Sequence, residues 1–120
     1  MTVNSQRLLL AAAGAGGAAA AGLYVDDVFS TFLYTGTDAT HTITNGIDLD
    51  GEGGLVWIKG RSNAFDHRLF DTERGASKFV STNTTGEEAE DTVSHTGFNS
   101  DGFTLGTRAA TNGLNFTFCS

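Results

Sequence analysis

From Asp26 onward the chain is cut into short apolar-rich runs by Gly, Asn and Asp, with a turn signal roughly every 8 to 15 residues. No stretch in that range sustains a helical period. Such punctuation suits strands joined by tight turns, so the expected fold class is all-β, an antiparallel sandwich or jelly roll. The composition points the same way: 16 Gly, no Pro and many Thr and Asn, the residues of strands and turns.

Individual segments sharpen this. "DVFSTFLYTGT" alternates, with Val28, Ser30, Phe32 and Tyr34 on one side and Phe29, Thr31 and Leu33 on the other. Apolar residues on both sides predict a strand covered on both faces. "HTITNGIDL" places an Asn-Gly turn signal at Asn45–Gly46, with Ile43 before it and Ile47 and Leu49 after. "GEGGLVWIKG" reads as a buried strand from Leu55 to Lys59, with Trp57 in the core between Val56 and Ile58. "HRLFDT" and "KFVST" read as two strands around a turn in which Gly75 supplies the permissive backbone. "GFNSDGFTLG" predicts a turn at Ser100–Asp101–Gly102 followed by a strand from Phe103 to Leu105. "GLNFTFCS" alternates Leu114, Phe116 and Phe118 against Asn115, Thr117 and Cys119.

Residues 1–25 differ from the rest and are read as an Ala/Gly-rich N-terminal arm preceding a β-sandwich domain at 26–120. Leu8–Val25 carries no charge and is mostly Ala, Gly and Leu. A helix over 6–22 contains Gly14, Gly16, Gly17 and Gly22, each costing about 1 kcal/mol relative to Ala, so it needs neighbours to order it. A secretory signal finds partial support in Arg7, Leu8–Leu10 and the small residues at Ala18 and Ala20, but the strongly apolar part is only three leucines long. A membrane span asks for about 20 predominantly apolar residues, which this segment does not supply. The expectation is an arm retained in the mature protein and buried against other subunits.

The formal charge is −7, and the two lysines and five arginines are scattered, which argues against nucleic acid as a partner. The single cysteine, Cys119, excludes an internal disulfide and any Cys-based zinc pattern; in an alternating apolar strand it reads as a small core residue. "DLDGEG" fits the first half of an EF-hand loop through Asp48, Asp50, Glu52 and Gly53, with Leu55 at the eighth position. Its twelfth position is Lys59 where a bidentate Glu belongs, so an acidic turn is the better reading. His41, His67 and His95 lack a nucleophile motif and read as exposed or cross-strand residues. The acidic run Glu87, Glu88, Glu90 and Asp91 reads as a solvated loop. Asn83 and Asn115 lie in glycosylation sequons, which matter only on a eukaryotic secretory route. Trp57 with Lys59 and Arg61 is a candidate sugar-stacking platform, although the core is its better reading, and Phe65 is a loop aromatic that a glycan-binding module would use. No catalytic, cofactor-binding or metal residue is assigned, and no cofactor is expected.

"YVDDVFSTFLYTGT", "GLVWIKGR", "LFDTERG", "STNTT" and "FNSDGFTLG" occur in this order, followed by a final aromatic strand with Cys119. Taken together they resemble the β-domain of tail-fibre-like virion proteins of tailed double-stranded DNA phages, especially marine ones, over roughly residues 24–119. The resemblance implies a virion component with a concanavalin- or laminin-G-like sandwich, and it does not imply a catalytic site. It also implies a virion structural protein, a tail fibre or tail appendage component docked to the particle by its arm and contributing to host attachment. Its expected partners are other virion proteins of the tail, neck or adaptor, and further copies of itself, as a homotrimer. Family chains usually run on into further β-domains, whereas this sequence stops at Ser120. The alternatives are a carbohydrate-binding module that reads a host surface glycan and a capsid decoration protein. A glycan depolymerase would need paired carboxylates across a groove, and Asp and Glu here fall mostly in turns.

Overall fold

The computed structural model describes residues 23–120. The element order is α1 (Val25–Val28), β1 (Leu33–Thr35), β2 (His41–Thr44), β3 (Leu55–Gly60), β4 (Arg68–Asp71), β5 (Lys78–Val80), β6 (Ala89–Glu90), β7 (His95–Asn99), β8 (Gly102–Leu105), α2 (Ala109–Asn112) and β9 (Thr117–Cys119). The strands form a six-stranded sheet, β1-β9-β3-β4-β5-β6, and a three-stranded sheet, β2-β8-β7. Every pairing is antiparallel. The protein is therefore an all-β antiparallel sandwich, as the turn spacing predicts. The expected arm, residues 1–25, lies outside the described residues up to Gly22.

The two inner faces make one core. Tyr34, Val56, Ile58, Phe70, Phe79 and Phe118 come from the larger sheet, and Ile43, Phe103 and Leu105 from the smaller. Phe70, Phe103, Leu105 and Phe118 are completely buried. Removing so much aromatic surface from water is the main stabilising term, at about 25 cal/mol per Å² of apolar area.

Two of the turns expected from the sequence close hairpins. β4 and β5 pair with Leu69 opposite Val80 and Phe70 opposite Phe79. The turn between them places Gly75 at φ +101°, a region L side chains avoid. β7 and β8 pair around Ser100–Asp101, with Asn99 opposite Gly102. Gly102 has a second constraint, because a Cβ there would collide with the Ile43 carbonyl oxygen of β2, at a φ of +155°. Gly102→Ala therefore has to push β2 away from β8; it is expected to destabilise by about 2 kcal/mol or more in urea denaturation, against no more than a few tenths for Gly86→Ala in the open loop.

Four segments depart from the sequence reading. Val28–Thr31 is not strand: Val25–Val28 forms one helical turn, closed by the Phe29 N–H to the Val25 carbonyl at 2.8 Å, and β1 starts only at Leu33. The Asn45–Gly46 turn does not fold Ile47–Leu49 back on β2. The Asn45 and Gly46 N–H groups both donate to the Asp101 carbonyl, and those of Leu49 and Asp50 to the Asn99 carbonyl, so the β7–β8 turn satisfies this loop. Trp57 is not core: β3 buries Val56 and Ile58 and turns Leu55 and Trp57 outward. Finally, "GLNFTFCS" contributes only Thr117–Cys119 as strand, because Asn115 adopts φ +64° and ends the alternation.

Candidate functional site

The side chains with chemical potential are dispersed. His41 bonds the Asn112 carboxamide through Nδ1 at 3.1 Å. His67 stands edge-on to Trp57, ring centres 5.4 Å apart. His95 is fully buried among Phe70, Phe98 and Phe103, its ring centre 4.8, 4.4 and 5.8 Å from theirs. Of the two readings, exposed or cross-strand, the second holds for His95, which stands opposite Leu105. Its Nδ1 lies 3.0 Å from the Ala76 carbonyl, which only accepts, so Nδ1 carries the proton; Nε2 is buried without a partner. Burial pushes this imidazole down to about 4, against the opposing pull of the Ala76 bond.

Among the described residues, no group of three or more His, Cys, Asp and Glu is placed to hold a metal. In "DLDGEG" the Asp48 carboxylate accepts the Gly51 N–H at 2.7 Å and Leu49 enters the core, which makes the segment a side-chain-capped turn. Asn83 is tied down on both sides: its Oδ1 accepts the His67 N–H and its Nδ2 donates to Asp66.

The acidic run splits. Glu88 reaches Arg74 and Lys78 at the surface. Asp91 is instead a structural hub, and the solvated-loop reading fails for it. Its side chain is only 8% exposed and accepts from Arg68 Nη1 at 2.8 Å, from Arg108 Nε at 2.6 Å and Nη2 at 3.1 Å, and from the Val93 N–H at 3.1 Å. Burial alone would raise its carboxyl, but the Arg108 and Arg68 hydrogen bonds outweigh it and hold the group below the usual carboxylate range. Nearby, Asn112 is fully buried and locks the loop after β1: its Nδ2 donates to the Ala39 and Gly106 carbonyls at 2.6 and 2.9 Å, and its Oδ1 accepts the Thr37 N–H at 3.0 Å. The Tyr34 hydroxyl donates to the Thr111 carbonyl at 2.7 Å, and burial holds it well above the usual phenol range. These polar side chains are consumed in holding loops to the sandwich.

What remains open is apolar. Register places Leu33 beside Cys119, Cys119 beside Lys59, Trp57 beside Leu69 and Leu69 beside Val80. All lie on the face of the larger sheet turned away from the core. Leu55 is 60% and Trp57 40% exposed, and Leu23, Val25, Val28 and Phe29 around α1 are exposed as well. A groove of about 1400 Å³ runs between them, with Val28 and Phe29 on one side and Leu55, Trp57, Leu69 and Cys119 on the other. Its rim carries Asp27, Asp48, Glu52, Asp71 and Glu73 against a single Arg74. The sequence reading misses this surface because it places Trp57 in the core of a buried strand, Leu55–Lys59. The signal available was the strict alternation of Leu55, Trp57 and Lys59 with Val56 and Ile58.

The described residues thus form a two-sheet antiparallel sandwich with an open apolar groove. The chain belongs to the family defined as a domain of unknown function, DUF7483, whose model matches residues 25–118. No curated protein and no solved structure matches it.

Proposed function

We propose that the protein is a structural component of a phage virion, a tail fibre or tail appendage subunit in which the β-sandwich is the projecting module and the N-terminal arm the attachment. The observation that carries this reading is the exposed apolar surface running from Leu23–Phe29 to Leu33, Leu55 and Trp57. Contiguous apolar surface of this kind marks sites where proteins assemble. The segments behind the resemblance to tail-fibre-like proteins also have scaffold roles. In "LFDTERG" the Asp71 carboxylate accepts the Arg74 N–H and Gly75 makes the turn; in "FNSDGFTLG" Gly102 lets β8 approach β2. Sequence spent on the fold is what a structural module requires.

Peptide mass spectrometry of purified virions is expected to find this chain, and deleting residues 1–22 is expected to abolish its incorporation while leaving the sandwich folded by circular dichroism. Incorporation of the truncated chain at the normal level would remove the arm from the account.

A carbohydrate-binding module is the second reading. Trp57 favours it: the indole is fixed by its Nε1 bond to Thr82 Oγ1 at 2.9 Å and by His67, yet remains part-exposed, as a stacking platform for a sugar ring requires. Phe65 and Phe116 form a second part-exposed aromatic pair, with ring centres 6.0 Å apart. Saturable glycan-array binding lost in Trp57→Ala would support this reading, and a silent array would count against it.

A further inference from the structure

The tripeptide Thr-Asn-Gly occurs twice, at 44–46 and 111–113. An Asn-Gly bond is chemically labile, because a glycine nitrogen with no Cβ beside it can reach the preceding carboxamide. The fold treats the two copies differently. Gly46 is exposed, at φ +86°, and nothing stands within 4 Å of where a Cβ would be. Asn45 is half-buried; its Oδ1 accepts the Ile47 N–H at 3.1 Å, while no acceptor among the described residues holds its Nδ2. Asn112 is fully buried, and its Nδ2 donates to Thr37 Oγ1, the Ala39 carbonyl and the Gly106 carbonyl at 3.2, 2.6 and 2.9 Å. Gly113 is enclosed as well: a Cβ there would stand 2.7 Å from Phe116 Cδ2 and 2.8 Å from the Ala109 carbonyl oxygen. We propose that Asn45 is a spontaneous deamidation site that turns to isoaspartate in the folded protein, and that the fold protects Asn112 from the same reaction.

In the reaction the Gly46 nitrogen attacks Asn45 Cγ and the Cγ–Nδ2 bond breaks, closing a succinimide ring. Nδ2 leaves as ammonia, and the proton that Gly46 gives up reaches it through water. Water then opens the ring. Cleavage at Cγ leaves aspartate; cleavage at the Asn45 main-chain carbonyl leaves isoaspartate, with the chain running on through Cγ. Nothing is oxidised or reduced. The barrier that the fold adds is the hydrogen bond from the Gly46 N–H to the Asp101 carbonyl at 2.9 Å, which has to break first. Asp101 is exposed in the β7–β8 turn and its carbonyl also takes the Asn45 N–H, so parting the two turns is a local opening well short of unfolding. Freeing Asn112 instead means lifting α2 from the sandwich. Isoaspartate adds a methylene to the main chain between the two N–H groups that share the Asp101 carbonyl, so the tie between the turns loosens with age. It also adds a carboxylate at Asn45, which lines the groove with Asp48, Glu52, Asp71 and Glu73, so the rim grows more acidic. The site is independent of what the chain assembles with.

The test incubates the full-length protein in mildly alkaline buffer and follows both tripeptides by peptide mass spectrometry, with electron-transfer fragmentation to separate isoaspartate from aspartate. In the native protein Asn45 is expected to convert at least about tenfold faster than Asn112, with isoaspartate the larger product. In the urea-unfolded chain the two are expected to convert at similar rates, since the local sequence is the same. Asn45→Gln keeps the amide on a longer arm, and it is expected to hold its urea midpoint through an incubation that lowers that of the unaltered protein. Equal rates at Asn45 and Asn112 in the native state overturn the proposal. So does conversion of Asn45 to aspartate alone, which bypasses the ring, and so does a rate difference that persists in the unfolded chain, which would take the protection away from the fold. A midpoint that falls as far in Asn45→Gln overturns the link between this residue and the loosened turns.

Discussion

Lowering the pH from 7 to 4 should cost the sandwich about 3 kcal/mol through His95 alone, and His95→Phe should abolish that share. An imidazole in the unfolded chain titrates near 6.5, whereas in the fold burial holds this one down to about 4. As the pH falls, the unfolded state takes up the proton first. The stabilisation from a neutral His95 is therefore complete above about 6.5 and is lost as the pH falls through the folded value. The gap of about 2.5 units, at 1.36 kcal/mol each, sets the size of the effect. The geometry supplies the reason. Protonation would place a second N–H at Nε2, which faces no acceptor, within a shell made by Phe70, Phe98 and Phe103. Asp71 and Asp91 are also held below the usual carboxylate range, so their contributions have the same sign and are lost at lower pH. Urea denaturation at pH 7, 5.5 and 4.5 checks this. The unaltered protein should lose stability across the series and His95→Phe should stay nearly level. Parallel curves for the two would show that His95 is not the titrating group.

The fold class was legible because turns are written in a local code. Gly75 and Ser100–Asp101–Gly102 fix two hairpins whatever surrounds them, and both stand where the residues place them. Asn45–Gly46 carries an equally strong local signal and fails as a hairpin. The β7–β8 turn, more than fifty residues later, offers the Asp101 and Asn99 carbonyls to the same N–H groups. That competition is tertiary and cannot be read from the dipeptide. Burial shows the same division. The alternation in β3 shows that two faces exist but not which one the second sheet covers, because Leu55 and Trp57 are as apolar as Val56 and Ile58. The alternation therefore signals a second apolar face but not that it stays open, because an exposed apolar face and a buried one have the same composition. For His95 the sequence leaves exposed and cross-strand both open, because its ring carries two polar atoms. The fold satisfies one through Ala76 and tolerates the other unpaired.

Asp91→Ala should destabilise the protein by about 3 kcal/mol, whereas Glu88→Ala, three residues earlier in the same acidic run, should change stability by no more than about 0.5 kcal/mol. Charge and spacing make the two residues look alike. Their surroundings do not: the Glu88 side chain is 45% exposed and its partners Arg74 and Lys78 are reached by water, so its ion pairs are screened. Asp91 joins three elements. It takes Arg68 from β4, the Val93 N–H from its own loop, and Arg108 at the start of α2, while its own N–H donates to the Ser77 carbonyl at 2.8 Å. Removing the carboxylate leaves the Arg68 guanidinium part-buried, with Ser94 Oγ and the Phe79 ring, 4.1 Å away, as its remaining contacts. It also releases Arg108 and with it the anchor of α2, the segment whose Asn112 locks the loop after β1. Arg108 is exposed and water replaces its partner at little cost, so most of the loss belongs to Arg68 and the Val93 N–H. Arg108→Ala should therefore be milder than Asp91→Ala. In the double variant Asp91→Ala/Arg68→Met the cost should fall below that of Asp91→Ala alone, because no buried charge is left unpaired. Chemical denaturation of the four variants measures all of this, and equal losses for Asp91→Ala and Glu88→Ala would show that the hub carries no more than the surface pairs do.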